Sequence, residues 1–140
     1  MAKGKEEGQF MRYLGVEFQS DQTVWVSIFV DGGEVSSFET GFIKIAGTKS
    51  ADDMKQYVAD LKQLFADYPA TKIAIKDKPE TGRMRAGAAA MKMEGVFLLT
   101  APYEVKFLSP KAVAKAMETA SGVKEKYKDA YRAAVAISKA

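Results

Sequence analysis

The sequence contains neither cysteine nor histidine among its 140 residues. Without cysteine, the chain can form no disulfide framework and no thiolate zinc site. Without histidine, it lacks the usual imidazole metal ligand and the base that activates serine or cysteine nucleophiles. Any metal would have to be held by oxygen atoms, which favours Mg²⁺, Mn²⁺ or Ca²⁺.

Long apolar runs are also absent, because no stretch approaches the roughly 20 residues that a membrane span needs. The first ten residues, MAKGKEEGQF, lack the apolar centre of a signal peptide. We therefore expect a cytoplasmic protein with no membrane partner. We interpret residues 1–10 as a polar extension and residues 11–140 as a single domain. The net charge of +3 is compatible with an anionic partner such as nucleic acid but does not indicate one.

The first third of the sequence predicts three antiparallel strands, at residues 11–19, 23–30 and 34–45. Alternation in the first strand places Leu14, Val16 and Phe18 on one face and Tyr13, Gly15 and Glu17 on the other. The run Asp31-Gly32-Gly33 is a strong hairpin signal. Gly41, in the third strand, predicts a bulge or bend. Trp25, in the second strand, is expected to lie in the core.

The rest of the sequence alternates between helices and strands. Ser50 is a good N-cap for a helix that ends at Tyr68, and Leu61 and Phe65 are expected to face the sheet. A buried strand follows at residues 73–75, then a helix from Arg83 to about Leu99. A fifth strand is predicted at residues 103–108. Two further helices are predicted, from Ser109-Pro110 to about Ala120 and over residues 123–139.

The order of these elements is β-β-β-α-β-α-β-α-α. Three antiparallel strands followed by strand–helix alternation predict an α/β fold with a mixed five-stranded sheet and helices on its faces. Right-handed crossovers place the fourth strand beside the first and the fifth beyond it. The expected strand order is therefore 3-2-1-4-5, which is the ribonuclease H-like arrangement.

Several short motifs resemble those of a known family: Gly15-Val16-Glu17, Ile75-Lys76-Asp77 with Gly82-Arg83 downstream, and Leu108-Ser109-Pro110. The chain resembles a small bacterial family of unknown function that has a ribonuclease H-like fold. The resemblance spans nearly everything from Met11 onward. A more distant likeness is to the Holliday-junction resolvases of the RuvC type, which share the same order of elements.

This resemblance implies a set of candidate catalytic residues. In ribonuclease H-like nucleases, carboxylates from the first strand, the end of the fourth strand and the last helix hold two Mg²⁺ ions that clamp a phosphodiester. Carried over, the first and third positions fall on Glu17 and Asp129. Asp77, just after the fourth strand, is the candidate carboxylate for the second position. The competing interpretations are a solvent-facing strand residue for Glu17 and an exposed charged loop for Asp77. Glu80 is a further candidate from the same loop.

Two cations stand where the resemblance predicts carboxylates. The aligned position at the end of the fourth strand falls on Lys76, one residue before Asp77, and a one-residue offset turns a strand side chain to the other face. One turn after Asp129, the second acid of the resolvases is replaced by Arg132. The sequence leaves open a degenerate metal site or an ion-pair cluster of Glu17, Lys76, Asp129 and Arg132. We favour the cluster and expect no metal cofactor, with Mg²⁺ required only if the chain is an active nuclease.

A second candidate site consists of Arg83 and Arg85, predicted in the first turn of a helix. Free N–H groups at a helix N-terminus bind phosphate, and arginine adds bidentate donors. The competing interpretation is that both side chains are solvated surface residues.

Three functional hypotheses follow. The chain is a ribonuclease H-like domain that contacts DNA or RNA with weak or no catalysis, a homodimeric interaction domain that binds no nucleic acid, or an active Mg²⁺-dependent nuclease. Fold alone does not choose among them.

Overall fold

Five strands, numbered along the chain, form one mixed sheet in the order 3-2-1-4-5, which confirms the predicted topology. The computed structural model describes residues 10–78, 87–116 and 122–140. The strands are β1 (Phe10–Gln19), β2 (Gln22–Asp31), β3 (Glu34–Lys44), β4 (Lys72–Lys76) and β5 (Glu104–Leu108). The first three strands are antiparallel, and β4 runs parallel to both β1 and β5. The sheet thus includes Phe10, which the sequence had assigned to the polar extension.

Four α-helices and one 3₁₀ turn lie in the described part of the chain. They are α1 (Ala51–Asp67), α2 (Ala88–Thr100), α3 (Pro110–Lys115), the turn Glu125–Tyr127 and α4 (Lys128–Ser138). The predicted cap of α1 is confirmed, since Ser50 Oγ accepts a hydrogen bond of 3.2 Å from the backbone nitrogen of Asp53. None of these helices is both long and apolar enough to cross a membrane.

Three helix boundaries differ from those predicted. Helix α2 begins at Ala88 rather than Arg83, because the extended backbone of Gly87 makes that residue the N-cap. Helix α3 ends at Lys115 rather than near Ala120. Helix α4 begins at Lys128 instead of Val123, after the 3₁₀ turn, and the Lys126 carbonyl in that turn accepts a side-chain hydrogen bond from Gln19.

The predicted hairpin between β2 and β3 is confirmed, with Gly32 at φ 65° and Gly33 at φ 87° as a tight two-residue turn requires. The bulge predicted at Gly41 is wrong, because the β2–β3 register shifts between Phe29 and Val30 instead. The absent side chain of Gly41 makes room for the ring of Trp25, which is buried as predicted.

Strand β1 contributes alternate residues to two separate cores. Leu14, Val16 and Phe18 pack with α1 and α2, and we call this side of the sheet the α1–α2 face. Tyr13 packs with α3 and α4 on the opposite side, which we call the α4 face. The predicted docking of α1 is confirmed, because Leu61 is 0% exposed and Phe65 5% exposed within the α1–α2 core.

Candidate functional site

Helix α4 crosses β1 directly over Gly15. A Cβ atom at Gly15 would collide with the carbonyl oxygen of Ala130 and lie 2.8 Å from the backbone nitrogen of Ala134. The backbones of strand and helix are therefore in contact, which only glycine permits at this position. This close approach fixes the first turn of α4, including Asp129, above the end of β1.

Strand register places a row of residues across the same end of the sheet. Val16 pairs with Ile75, so Glu17 and Lys76 come next at the carboxyl ends of β1 and β4. On the other side, Glu17 is opposite Val24, and Val24 is opposite Phe42 of β3. Because paired residues in a sheet point to the same face, Phe42, Glu17 and Lys76 all lie on the α4 face.

Four charged side chains meet at this point. Lys76 Nζ donates to Asp129 Oδ2 at 2.6 Å and to Glu17 Oε2 at 3.4 Å. Arg132 Nη1 lies 3.5 Å from Asp129 Oδ1, one helical turn further along α4. We call these residues (Glu17, Lys76, Asp129 and Arg132) the ion-pair cluster. It contains two carboxylates and two cations, so its formal charge is zero.

The cluster is partly shielded from solvent, and its central cation is stabilised there. The exposed fraction of the side chain is 11% for Glu17, 20% for Lys76 and 35% for Asp129. Burial alone would lower the pKa of Lys76, but the hydrogen bonds and charges of Asp129 and Glu17 outweigh it and raise the pKa. Lys76 is therefore a stable ammonium between two carboxylates.

A neutral side chain extends the cluster toward β3. Gln19 Nε2 donates to Glu17 Oε1 at 2.7 Å and to the Lys126 carbonyl oxygen at 3.1 Å. Lys126 Nζ lies 3.6 Å from the centre of the Phe42 ring, and Phe42 is 48% exposed. Sequence reasoning missed this extension, because Lys126 is far from Phe42 along the chain and only the fold brings them together. Strand alternation could have placed Phe42 on the face of Glu17.

Asp77 does not join the cluster. Its backbone nitrogen donates to the Leu108 carbonyl oxygen at 2.8 Å, which continues the pairing of β4 with β5. Side-chain alternation therefore still holds at Asp77, and its exposed side chain makes no hydrogen bond or ion pair with a residue that the structure describes. Glu80, Arg83 and Arg85 lie outside the described residues, so a phosphate site at the two arginines stays a prediction.

The two predicted catalytic carboxylates that do come together form an incomplete metal site. Across the three described segments, no group of three or more Asp or Glu side chains is arranged to hold a metal ion. Glu17 and Asp129 are the carboxylates that come together, and the ammonium of Lys76 already lies between them.

A family model described as a protein of unknown function, DUF3010, matches residues 11–137. The chain belongs to this family. The resemblance indicated by the sequence motifs is thereby confirmed. No curated protein matches the DUF3010 chain at a significant level.

Two structures of RuvC are among the solved structures that share the fold of the DUF3010 chain. RuvC from Thermus thermophilus is similar with a TM-score of 0.72 at 13% identity, over 90% of this chain and 92% of that chain. The structure of T. thermophilus RuvC in complex with Holliday junction substrate is similar with a TM-score of 0.64 at 13% identity, over 90% and 91% of the two chains. Likeness at this identity shows the fold alone, which is ribonuclease H-like as predicted.

Proposed function

We propose that this DUF3010 domain binds nucleic acid through its α4 face and does not cleave it efficiently. The observation that carries the proposal is the position of Lys76, whose ammonium bridges Glu17 and Asp129 at the carboxyl ends of the two central parallel strands. Ligands of open α/β sheets bind at the carboxyl ends of strands, so this is where a site is expected.

The resemblance to ribonuclease H-like nucleases implies carboxylates at three points around this position. Here Lys76 stands at the end of β4, Arg132 follows Asp129, and Asp77 is turned away. A divalent ion would meet two fixed cations in a partly shielded site, where repulsion is poorly screened. The residues present therefore do not fit a two-metal centre, and no metal-dependent step is assigned to them.

The surroundings of the cluster support binding of a polyanion. Three lysines that are exposed or half-buried lie around the start of α4: Lys124, Lys126 and Lys128. Lys126 adjoins the exposed ring of Phe42. Proteins that bind single-stranded nucleic acid combine cations for the phosphates with aromatic rings on which bases stack. The similar fold of RuvC, solved with a Holliday junction, makes a four-way junction a suitable probe beside duplex and single strands.

The proposal is tested by measuring the affinity for a labelled four-way junction, a duplex and a single strand across a salt series. We expect binding at low salt that weakens steeply as salt is added, because phosphate contacts release counterions. Lys126→Ala should weaken binding to all three probes and reduce the salt slope by about 1. Lys62→Ala removes the same charge from exposed α1 on the other side of the sheet and should leave binding unchanged.

Two further variants separate the candidate contacts. Phe42→Ala should weaken single-strand binding by about 5- to 140-fold, since a base stacked on an aromatic ring contributes about 1–3 kcal/mol. Changing Arg83 and Arg85 together to alanine should weaken binding for all sequences alike if the predicted phosphate site exists. Equal affinities for Lys126→Ala and Lys62→Ala would place the binding surface elsewhere. No binding of any probe at low salt would reject the proposal.

A further inference from the structure

Helix α2 presents an apolar surface to solvent as well as to the core. Its inner side is formed by Ala90, Met93 and Phe97, which are 4%, 0% and 0% exposed. On its outer side Met91 is 41%, Leu98 42% and Leu99 90% exposed. A helix that is apolar on both sides is typical of one that is buried on both sides. The outer side of α2 is therefore the largest uncovered apolar feature of a described helix.

Gly95 lies at the centre of this outer side. At 100° per residue, Met91 and Leu98 fall on one edge of the outer face and Leu99 on the other, with Gly95 between them. A Cβ atom at Gly95 would meet no atom of the described residues within 4 Å, so neither packing against that part of the chain nor a positive φ requires glycine there. Glycine in the middle of a helix costs about 1 kcal/mol relative to alanine, and its useful property is that another backbone can approach it closely.

We propose that α2 binds the α2 helix of a second copy of this chain, antiparallel and crossing at Gly95. The proposal does not depend on the proposed function, because α2 lies on the α1–α2 face and the ion-pair cluster on the α4 face. A two-fold axis at the crossing places each Gly95 against its counterpart.

The spacing of the outer residues favours a second copy over an unrelated partner. Met91 lies about 6 Å before Gly95 along the helix axis, and Leu98 lies about 4.5 Å after it on the same edge. In an antiparallel pair, Met91 of each copy therefore contacts Leu98 of the other, which gives two equivalent contacts. The outer side of α2 is therefore complementary to the same surface of a second copy, related by a two-fold axis at Gly95.

The charge of the outer side allows this contact. The one charged residue there is Lys92, whose Nζ reaches aside to within 3.5 Å of Thr48 Oγ1. Lys92 is about 4.5 Å from Gly95 along the axis, so the antiparallel arrangement separates the two lysines by about 9 Å along the axis and lays each aliphatic stem beside Leu99 of the other copy. Two basic chains can thus meet here without bringing like charges into contact.

The size of the contact indicates a reversible dimer. A helix of 13 residues is about 20 Å long, which is short for the about 800 Å² per partner of a standard stable interface. Phe107 of the edge strand β5 is 38% exposed and pairs in register with Ile75, so it points to the same side of the sheet as α2. It can extend the contact, and we expect monomer and dimer in a concentration-dependent equilibrium.

Cysteine cross-linking tests the crossing point directly, because the chain contains no other thiol. Gly95→Cys should form a disulfide-linked dimer on oxidation, since the two copies of residue 95 meet within the roughly 7 Å between Cα atoms that a disulfide allows. Gly87→Cys is the matched control, because Gly87 is also open and exposed. In the antiparallel pair the two copies of residue 87 are about 24 Å apart along the helix axis, so the cysteines of this variant should remain largely reduced.

Sedimentation equilibrium supplies the second measurement. The average mass of the wild type should rise with protein concentration, while Leu99→Glu should remain monomeric. This variant should melt at the temperature of the dilute, monomeric wild type, because Leu99 is 90% exposed. Ala59→Glu, on the exposed side of α1, adds the same charge and should behave as wild type. Gly95→Ala should melt at a higher temperature and yet dimerise more weakly.

Several results would overturn the proposal. A wild type that stays monomeric at all concentrations would mean that the outer side of α2 meets some other partner. Equal cross-linking of Gly95→Cys and Gly87→Cys would exclude an antiparallel crossing at Gly95. A Leu99→Glu variant that dimerises as well as Ala59→Glu would move the interface away from α2.

Discussion

The two faces of the sheet are stabilised by different means, although β1 supplies alternate residues to both. On the α1–α2 face, large rings fill the space, with the Phe97 centroid 5.7 Å from that of Phe18 and 5.4 Å from that of Phe65. On the α4 face, the helix backbone lies against Gly15 with small residues at the contact. Close backbone approach is what brings Asp129 within reach of Lys76. The candidate site therefore depends on the close approach of the α4 backbone to β1. The core on the α1–α2 face depends instead on the volume of its buried side chains.

The largest expected effect comes from removing volume on the α1–α2 face. Leu61→Ala should lower the free energy of unfolding by roughly 2–5 kcal/mol, because it truncates a leucine that is 0% exposed. Chemical denaturation measures this value. The ion-pair cluster on the other face should be unaffected, and nucleic-acid affinity below the melting temperature should stay as in wild type. A loss below about 1 kcal/mol would show that α1 is not docked as described.

Adding volume on the α4 face should have the next largest effect. Gly15→Ala forces α4 away from β1 and should cost about 3 kcal/mol, since an inserted methyl group here meets helix backbone rather than a movable side chain. Gly41→Ala is the matched control, because its new methyl group would meet the Trp25 ring instead. If the loss for Gly15→Ala were no larger than that for Gly41→Ala, the contact between α4 and β1 would not be rigid.

Removing the central cation should cost less. Lys76→Met leaves two carboxylates facing each other without their ammonium, and we expect a loss of about 2 kcal/mol, typical of a hydrogen bond to a charged group. Lys44→Met breaks the pair of Lys44 with Asp21, which is 4.0 Å long and largely exposed, and should cost less than about 1 kcal/mol. Similar losses in the two variants would mean that the cluster behaves as an ordinary surface ion pair.

The smallest effect is a pH dependence in alkali. The pKa of Lys76 is raised in the folded state above its usual value of 10.5, so its stabilising contribution is complete below pH 10.5 and is lost as pH rises through the higher folded-state pKa. The gap in stability between wild type and Lys76→Met should therefore narrow in that range. Burial also raises the pKa of Tyr57, which lowers stability in alkali in both proteins and cancels in the comparison. A gap that is constant with pH would contradict the ion pairs.

Much of the difference between the two faces of the sheet could be predicted from the sequence. Alternation along β1 assigned Gly15 and Glu17 to one face and Phe18 to the other, and the order of elements specified the sheet. The contact between Gln19 and the Lys126 carbonyl could not be predicted, because it joins residues 107 positions apart and neither residue is among the positions that the resemblance assigns to the site. The start of α2 was misplaced because residues 83–86 (RMRA) all have high helix propensity, while the N-cap depends on local backbone geometry.

An ion-pair cluster stands in place of a metal centre at the carboxyl ends of β1 and β4, and a cleavage assay tests this assignment most directly. Branched, single-stranded and RNA–DNA hybrid substrates are incubated with the wild type and with Glu17→Gln, first in Mg²⁺ and then in Mn²⁺. We expect no cleavage above the protein-free control for either protein, because the Lys76 ammonium holds Glu17 and Asp129. Metal-dependent cleavage by the wild type that disappears in Glu17→Gln would contradict the account and identify the chain as an active nuclease.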